Sequence, residues 1–365
     1  MKINKIWLPL LGMVFPNALL LAQVQSDSTS RAPATAITQR PASKAADEKE
    51  YANPSVTGMG KSKGIIINYE WQPGFDITST SPKASIGNKQ GKVRRNNKFD
   101  VKAYAPLVNN PHLKMVAGFN YSFEEFNFEY PLPPEYPFYN NIEDRNLKSI
   151  SGQLVALRPV NEKNFYVVRA KGELNGDYSS KEVAVPDYLK TTVEFLYGWK
   201  KNHAYSYGFG VQLGYALGRR RIYPAFLYNR TFNPKWGIEA ILPANADIRY
   251  NASERSLWFA GFSVDGASYN INVNNISTPN IETLELRRSE IRARVRWEKE
   301  IYDFLWFGVE AGYRENLSFN AFEKEADDGF IFAKREDPLI DNKLKGAALF
   351  NVEIFLVPPR RFLKQ

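Results

Sequence analysis

The clearest chemical pattern in the sequence is a run of three arginines, Arg292, Arg294 and Arg296, which alternate with apolar residues. In a β-strand this spacing places all three guanidinium groups on one face. Such a ladder could line a polar pathway and attract anions. The alternative is that acids pair with the arginines and hold the interior closed. Glu310 and Arg314 follow in the next predicted strand, and one opposite-charge pair across strands contributes roughly 0.2–1 kcal/mol. We favour pairing.

Charges recur on the same face of other strand-like segments, which predicts a charged interior. By strand parity, the predicted inward-facing charges are Asp100, Lys102, Arg169, Lys171, Glu173, Glu194, Glu239, Asp247, Arg249, Arg292, Arg294, Arg296, Glu310, Arg314 and Glu353.

A hydrolase would need a nucleophile and a base within hydrogen-bond distance. The chain has no cysteine and only two histidines, His112 and His203. Ser206 lies near His203, but residues three apart in a strand point to opposite faces. His112 has no serine after it before Ser122. We therefore predict no enzyme activity.

Metal and cofactor sites are not predicted either. Glu323, Glu325, Asp327 and Asp328 could offer oxygen ligands to Ca²⁺. The spacing of a known calcium loop is missing, which favours a solvated acidic run. No phosphate-binding glycine loop is present.

From Gly64 onward, apolar and polar residues alternate with a period of two, which predicts strands. A soluble barrel fills its interior with apolar side chains, whereas here the polar face carries the charges and glycines. The 51 aromatic residues recur near strand ends, as in the interfacial girdles of membrane barrels. The pattern predicts strands near 63–72, 96–107, 113–128, 146–158, 163–174, 188–199, 203–217, 221–231, 235–242, 245–251, 255–271, 284–300, 303–321 and 345–357.

Connections between these segments alternate between tight turns and long polar loops, the latter at 73–95, 129–145, 175–187, 272–283 and 322–344. Membrane barrels have short periplasmic turns and longer outer loops. The chain is therefore predicted to be all-β, an up-and-down antiparallel transmembrane β-barrel of fourteen strands. Twelve remain possible if 235–251 forms one bent hairpin. A mean hydropathy of −0.42 is compatible, because only every second residue would face lipid.

Two segments precede the predicted barrel. Residues 1–22 have basic Lys2 and Lys5 and an apolar run, which indicates a secretory signal. Residues 23–62 are predicted to be a disordered periplasmic extension, since the stretch 25–50 is rich in Ser, Thr, Ala, Pro and charge. The barrel is assigned to 63–358 and a short tail to 359–365.

One outer loop, Glu129 to Asn141, is rich in proline and tyrosine. Such a loop could bind a glycan or protein, or fold inward as a plug. The expected partners are outer-membrane lipid, the barrel-assembly machinery and an unidentified small solute. Nucleic acid is not expected, because the basic residues behind the net charge of +9 are scattered.

The run from Pro234 to Pro243 (PKWGIEAILP), followed by Arg249, Tyr250, Gly261 and Tyr269, resembles uncharacterised outer-membrane barrel families of Bacteroidota. The resemblance implies a cell outer-membrane location and carries over no catalytic or binding residue. The end of the chain differs, because Pro358 and Pro359 follow where such barrels end on phenylalanine. A passive channel or small-solute uptake barrel is the first functional hypothesis. The second is a structural or surface-binding barrel with a packed, salt-bridged lumen.

Overall fold

The computed structural model describes residues 51–129, 136–179, 185–273, 281–324 and 337–359. Within these ranges the chain is almost entirely β-strand. The strands are β1 Ile65–Thr80, β2 Lys89–Asn109, β3 Lys114–Phe128, β4 Leu147–Pro159, β5 Asn164–Gly176, β6 Leu189–Asn202, β7 Tyr205–Gly214, β8 Arg221–Thr231, β9 Trp236–Leu242, β10 Asn245–Ser253, β11 Ser256–Asn272, β12 Thr283–Tyr302, β13 Leu305–Glu323, β14 Asp341–Leu344 and β15 Ala347–Leu356. Two short helices accompany them, α1 Pro137–Arg145 and α2 Val185–Tyr188. No helix among these residues is both long and apolar enough to cross a membrane.

From β1 to β13 each strand pairs antiparallel with the next, β13 pairs with β15, and β1 pairs with both β2 and β15. The sheet is therefore closed. The short segment β14 pairs with β1 directly beyond β15, so these two segments form one interrupted wall strand. The result is a closed antiparallel barrel of fourteen strands, which confirms the predicted fold and excludes the twelve-strand alternative.

The barrel has two unlike ends. The short-turn end holds the tight connections around residues 110, 162, 203, 233, 254 and 303, together with Gly64 and Val357. The long-loop end holds the other connections. Burial alternates along strands such as β4, β6 and β15, and in β4 the inward residues from Leu147 to Pro159 are buried while the outward residues are more exposed.

One predicted loop, 73–95, is largely strand and is corrected here. β1 continues to Thr80 and β2 begins at Lys89. The inward parity shifts at Pro73-Gly74, so that Phe75 and Ile77 are buried beyond this point. The inward residues change there from polar to apolar. A single alternation of polar and apolar residues therefore does not predict the strand across the shift.

Strand β11 contacts β5 near the long-loop end. Asn270 of β11 pairs in parallel with Gly176 of β5, although β6 to β10 lie between them in the sheet. The wall formed by β9 and β10 is low, with seven and nine residues, against seventeen in β11. Near the long-loop end the barrel is thus closed along a shorter route, from β5 directly to β11.

Candidate functional site: the barrel lumen

All fifteen predicted inward-facing charges lie on the inner side of the wall, and fourteen of them are fully buried. The exception is Glu173, whose side chain is 13% exposed beside Lys171. The structure therefore brings them into one lumen, as strand parity predicts. Their use as an anion pathway stays a prediction.

Arg292 occupies the centre of this ionic layer. Its Nη1 donates to Glu70 Oε2 at 2.7 Å, and its Nε donates to Glu290 Oε1 at 2.7 Å. Asp265 Oδ2 lies 3.4 Å from the same Nε. Three carboxylates thus surround one guanidinium group, which compensates for much of the cost of burying it.

The other two arginines of the ladder also face acids. Arg294 lies 3.4 Å from Asp247 and 3.7 Å from Glu310. Arg296 Nε lies 3.2 Å from Glu298 Oε1. The ladder is consequently embedded among carboxylates rather than presented to an open passage.

Further ion pairs join strands of the wall, one across the lumen and one between neighbouring strands. Arg288 of β12 contacts Glu124 of β3 at 2.5 Å, and Arg169 of β5 pairs with Glu194 of β6. Among the described residues, twelve Lys and Arg side chains and thirteen Asp and Glu side chains are buried. This near balance favours mutual pairing over an excess of positive charge.

Residues 51–63, named here the strap, lie across the short-turn end of the lumen. Side chains of the wall donate hydrogen bonds to strap carbonyls. Ser206 Oγ and Asn229 Nδ2 both donate to Pro54 O, and Lys200 Nζ donates to Ser55 O at 2.8 Å. The predicted disordered extension is instead ordered at residues 51–62. Contacts with the wall order it, and the polar composition does not reveal them. Its remainder and the predicted signal lie outside the described residues.

Lys63 anchors the end of the strap inside the barrel. Its ammonium group lies 3.0 Å from Glu298 and pairs also with Glu353. It also lies 3.9 Å from the centre of the Phe355 ring. The strap is therefore attached to the same carboxylates that face Arg296.

An apolar layer adjoins the strap. Its members are Ala52, Ile66, Tyr104, Val116, Val155, Leu157, Phe165, Val167, Leu196, Leu227, Leu257, Phe259, Trp306, Phe355 and Val357. These inward residues near the short turns exclude water from this end of the lumen.

A second apolar cluster lies around α1 at the long-loop end. Phe138, Tyr139 and Ile142 recur at helical spacing and are buried against Phe75, Phe128 and Leu284 among others. Pro137 occupies the first helical turn, where its missing N–H costs nothing. Of the two alternatives for the Pro- and Tyr-rich loop, the described part, from residue 136, has the geometry of a plug. Residues 130–135 lie outside the described ranges.

The junction of β5, β11 and α2 also belongs to this end. Asp177 Oδ2 accepts a hydrogen bond from the backbone N–H of Asn272 at 3.0 Å. Burial raises the pKa of the Asp177 carboxyl above its usual 3.8 and raises the pKa of Tyr178 to about 12. Both groups lie beyond the end of β5.

A cavity of about 60 Å³ remains between the plug and the ionic layer. It is lined by polar and charged groups that include Lys98, Asp100, Lys102, Glu173 and Asp265. Its volume suits a few water molecules.

The residues considered for hydrolysis have different structural roles. Ser206 is buried and its hydroxyl donates to the strap, whereas His203 is exposed at a turn and accepts from Thr57 through its carbonyl oxygen. His112 packs edge-on against Tyr51. No group of three or more potential metal ligands occurs among the described residues, and Glu325, Asp327 and Asp328 lie outside them.

Several residues of the ionic layer were not predicted, namely Lys63, Glu70, Asp265, Glu290 and Glu298. Glu290 and Glu298 continue the arginine alternation by two residues in each direction. Glu70 likewise shares its parity with Asn68 and Gln72. Strand parity could therefore have found them, but the strap residue Lys63 has no such signal.

Three solved structures illustrate the similarity to known barrels. An outer membrane channel from Pseudomonas putida F1 aligns with 86% of this chain and 100% of its own at 9% identity and a TM-score of 0.40. A Pseudomonas aeruginosa FadL homologue aligns with 81% of this chain and 91% of its own at 9% identity and a TM-score of 0.35. The Pseudomonas putida toluene transporter TodX aligns with 84% of this chain and 95% of its own at 8% identity and a TM-score of 0.29.

No curated protein sequence matches the chain. A family description does match, over residues 135–355, which include α1 and the wall from β4 to β15. The chain belongs to the family described as "Domain of unknown function (DUF6268)".

Proposed function

We propose that the protein is an outer-membrane barrel whose lumen is closed at rest by its own side chains, and that it is not an open passive pore. The observation that carries this proposal is the nearly balanced set of twelve basic and thirteen acidic side chains that are buried, all but Asp177 within the barrel. Ions crossing this layer would have to displace paired charges.

The outer surface supports the membrane part of the proposal. Among the described residues, 33 large apolar side chains are exposed, and most of them lie on the outward positions of strands, such as Ile67, Phe209 and Val352. Soluble proteins rarely expose a continuous apolar surface of this extent. Lipid is therefore the natural partner of this surface, and the all-paired backbone of a closed barrel suits it.

The two ends of the barrel support the proposal that the lumen is closed. The strap and the apolar layer behind it cover the short-turn end, and the cluster around α1 covers the other. A structural or surface-binding role for the barrel follows more naturally from this packing than diffusion through it. The proposal includes export by a signal at residues 1–22, assembly by the barrel-assembly machinery, a Bacteroidota-type source and the absence of catalysis.

A second candidate is a gated uptake barrel for a small solute. It is favoured by the way the strap is held, because wall side chains bond to strap carbonyls and the strap forms no strand of the sheet. Such bonds can break without disrupting the wall.

Conductance in planar bilayers tests these candidates. The full chain is compared with a Ser206→Ala/Asn229→Ala variant, which loses two hydrogen bonds to Pro54. A closed barrel gives no conductance steps with either protein. Steps with the full chain would overturn the proposal in favour of a passive pore, and steps with the variant alone would favour the gated barrel. Migration of the unheated protein in detergent gels verifies that both are folded.

A further inference from the structure

The low wall at β9 and β10 leaves a gap in the sheet. β8 pairs with β9 only from Phe226 onward, so residues 221–225 lack a partner on that side. β11 pairs with β10 only as far as Ser263 and continues for nine more residues. Above the turn at Pro243 and Ala244, β8 and β11 therefore face each other across an interruption in the sheet.

A crevice of about 40 Å³ occupies this gap. The turn residues Pro243 and Ala244 lie on one side, and Leu217 and Val264 lie on the other. Its lining includes outward residues such as Phe195 and inward residues such as Gln212, so residues of both faces of the wall border it. At about 10–15 Å³ for each water-sized group, it accepts roughly three such groups.

The backbone around the crevice is suited to contact with hydrocarbon. A strand without a neighbour exposes N–H donors, which are costly in an apolar environment. At this gap Pro224 and Pro243 have no N–H, and Val264 N donates to Ala244 O at 2.7 Å. These three positions thus leave no unpaired N–H at the gap, and prolines at sheet edges have the same effect.

The position of the crevice indicates what enters it. Phe195, Val211, Leu217 and Leu242 line it and are 46%, 49%, 40% and 38% exposed on the outer surface. Exposed Leu189, Val193 and Ile222 continue this apolar surface beyond the crevice, toward the long-loop end. In the proposed membrane orientation, the mouth of the crevice opens to the bilayer core rather than to water.

We propose that this crevice binds the acyl chain of a bilayer lipid, whose end passes between β8 and β11 through the wall. The inference rests on the proposed outer-membrane location. An apolar cavity of this kind stays free of water and takes up apolar groups. Its inner end meets Gln212 and Glu194, so the chain stops where the polar lumen begins.

The experiment exploits the absence of cysteine in the chain. Ala225→Cys places a bimane fluorophore at the inner side of the crevice, in the full chain reconstituted into phosphatidylcholine vesicles whose acyl chains are brominated. Leu154→Cys, on the outward face of β4, is the lipid-facing reference, and Lys163→Cys, at a tight turn, is the aqueous reference. We expect bromine to quench Ala225→Cys to an extent comparable with Leu154→Cys, and Lys163→Cys much less.

A blocking variant tests the path. Adding Ala244→Phe should abolish the quenching at Ala225→Cys and leave that at Leu154→Cys unchanged. Quenching at Leu154→Cys without quenching at Ala225→Cys would overturn the crevice proposal alone. The absence of quenching at both sites would overturn the membrane location. Tyr223→Cys replaces Ala225→Cys if the latter does not fold.

Discussion

Gly176 and Asn270 are bridged in parallel, although five strands of the sheet separate the strands that carry them. A Cβ atom at Gly176 would lie 2.5 Å from the Asn270 carbonyl oxygen and would collide with the Tyr188 ring. The close approach therefore requires glycine. This contact allows β11 to meet β5 and leaves β9 and β10 as a low part of the wall.

Gly176→Ala should destabilise the barrel by about 1–3 kcal/mol, the usual cost of overpacking. Gly172→Ala on the same strand is the matched control, because its Cβ would meet only Leu189 at 3.8 Å. Urea unfolding of both variants in vesicles measures the difference. Equal stability of the two variants would contradict the role assigned to the bridge.

Arg292→Met should cost about 3–5 kcal/mol, because it removes the cation that pairs with buried Glu70 and leaves Glu290 only the more distant Arg288 and Arg314. Adding Glu70→Gln should recover part of this loss. Arg94→Met, at an exposed position, should change little. The free energy of unfolding is measured for each variant, and an Arg292→Met variant as stable as Arg94→Met would argue against the paired ionic layer.

Phe138→Ala should destabilise the plug at the long-loop end by about 3–5 kcal/mol, as expected for deleting a fully buried aromatic ring. Asp144→Ala on the exposed side of α1 is the control. Limited proteolysis of the intact barrel follows the opening of this end. Identical cleavage rates in the two variants would show that α1 does not close it.

Ser55→Cys should react slowly with a maleimide reagent, because the side chain of Ser55, a residue of the strap, is fully buried and its carbonyl accepts a hydrogen bond from Lys200. Lys163→Cys at an exposed turn should react rapidly. Introducing Ser206→Ala and Asn229→Ala should accelerate labelling at position 55 but not at 163. Rapid labelling of Ser55→Cys in the otherwise unchanged chain would mean that the strap does not cover the lumen.

Stability should depend on pH through Asp177. Its folded-state pKa lies above the usual 3.8, since burial disfavours the charged form. The folded protein then binds this proton more tightly than the unfolded chain. The contribution is fully present below pH 3.8 and is lost as the pH rises through the folded-state pKa. Asp177→Asn, which is neutral at every pH, should flatten this part of the profile of unfolding temperature against pH. An unchanged profile would contradict the assignment.

The sequence by itself determined the wall of the barrel and the direction of its charges. Residues such as Arg294 and Val295 must lie on opposite faces of a strand, and a period of two needs no knowledge of the neighbours. The tight turns followed from the same alternation, and so did the even strand number. The prediction of a loop at 73–95 was wrong. The parity shifts at Pro73-Gly74, and the inward residues change from polar to apolar, so the alternation that indicates a strand is interrupted there.

Only the tertiary structure decided which groups meet across the lumen. Arg288 contacts Glu124, 164 residues away, because the curvature and register of the twelve other wall strands bring β12 opposite β3. The strap has no strand periodicity, and its order comes from Ser206, Asn229 and Lys200 on separate wall strands. Parity assigns a face to each residue, but a partner on the far side depends on the closure of the whole sheet.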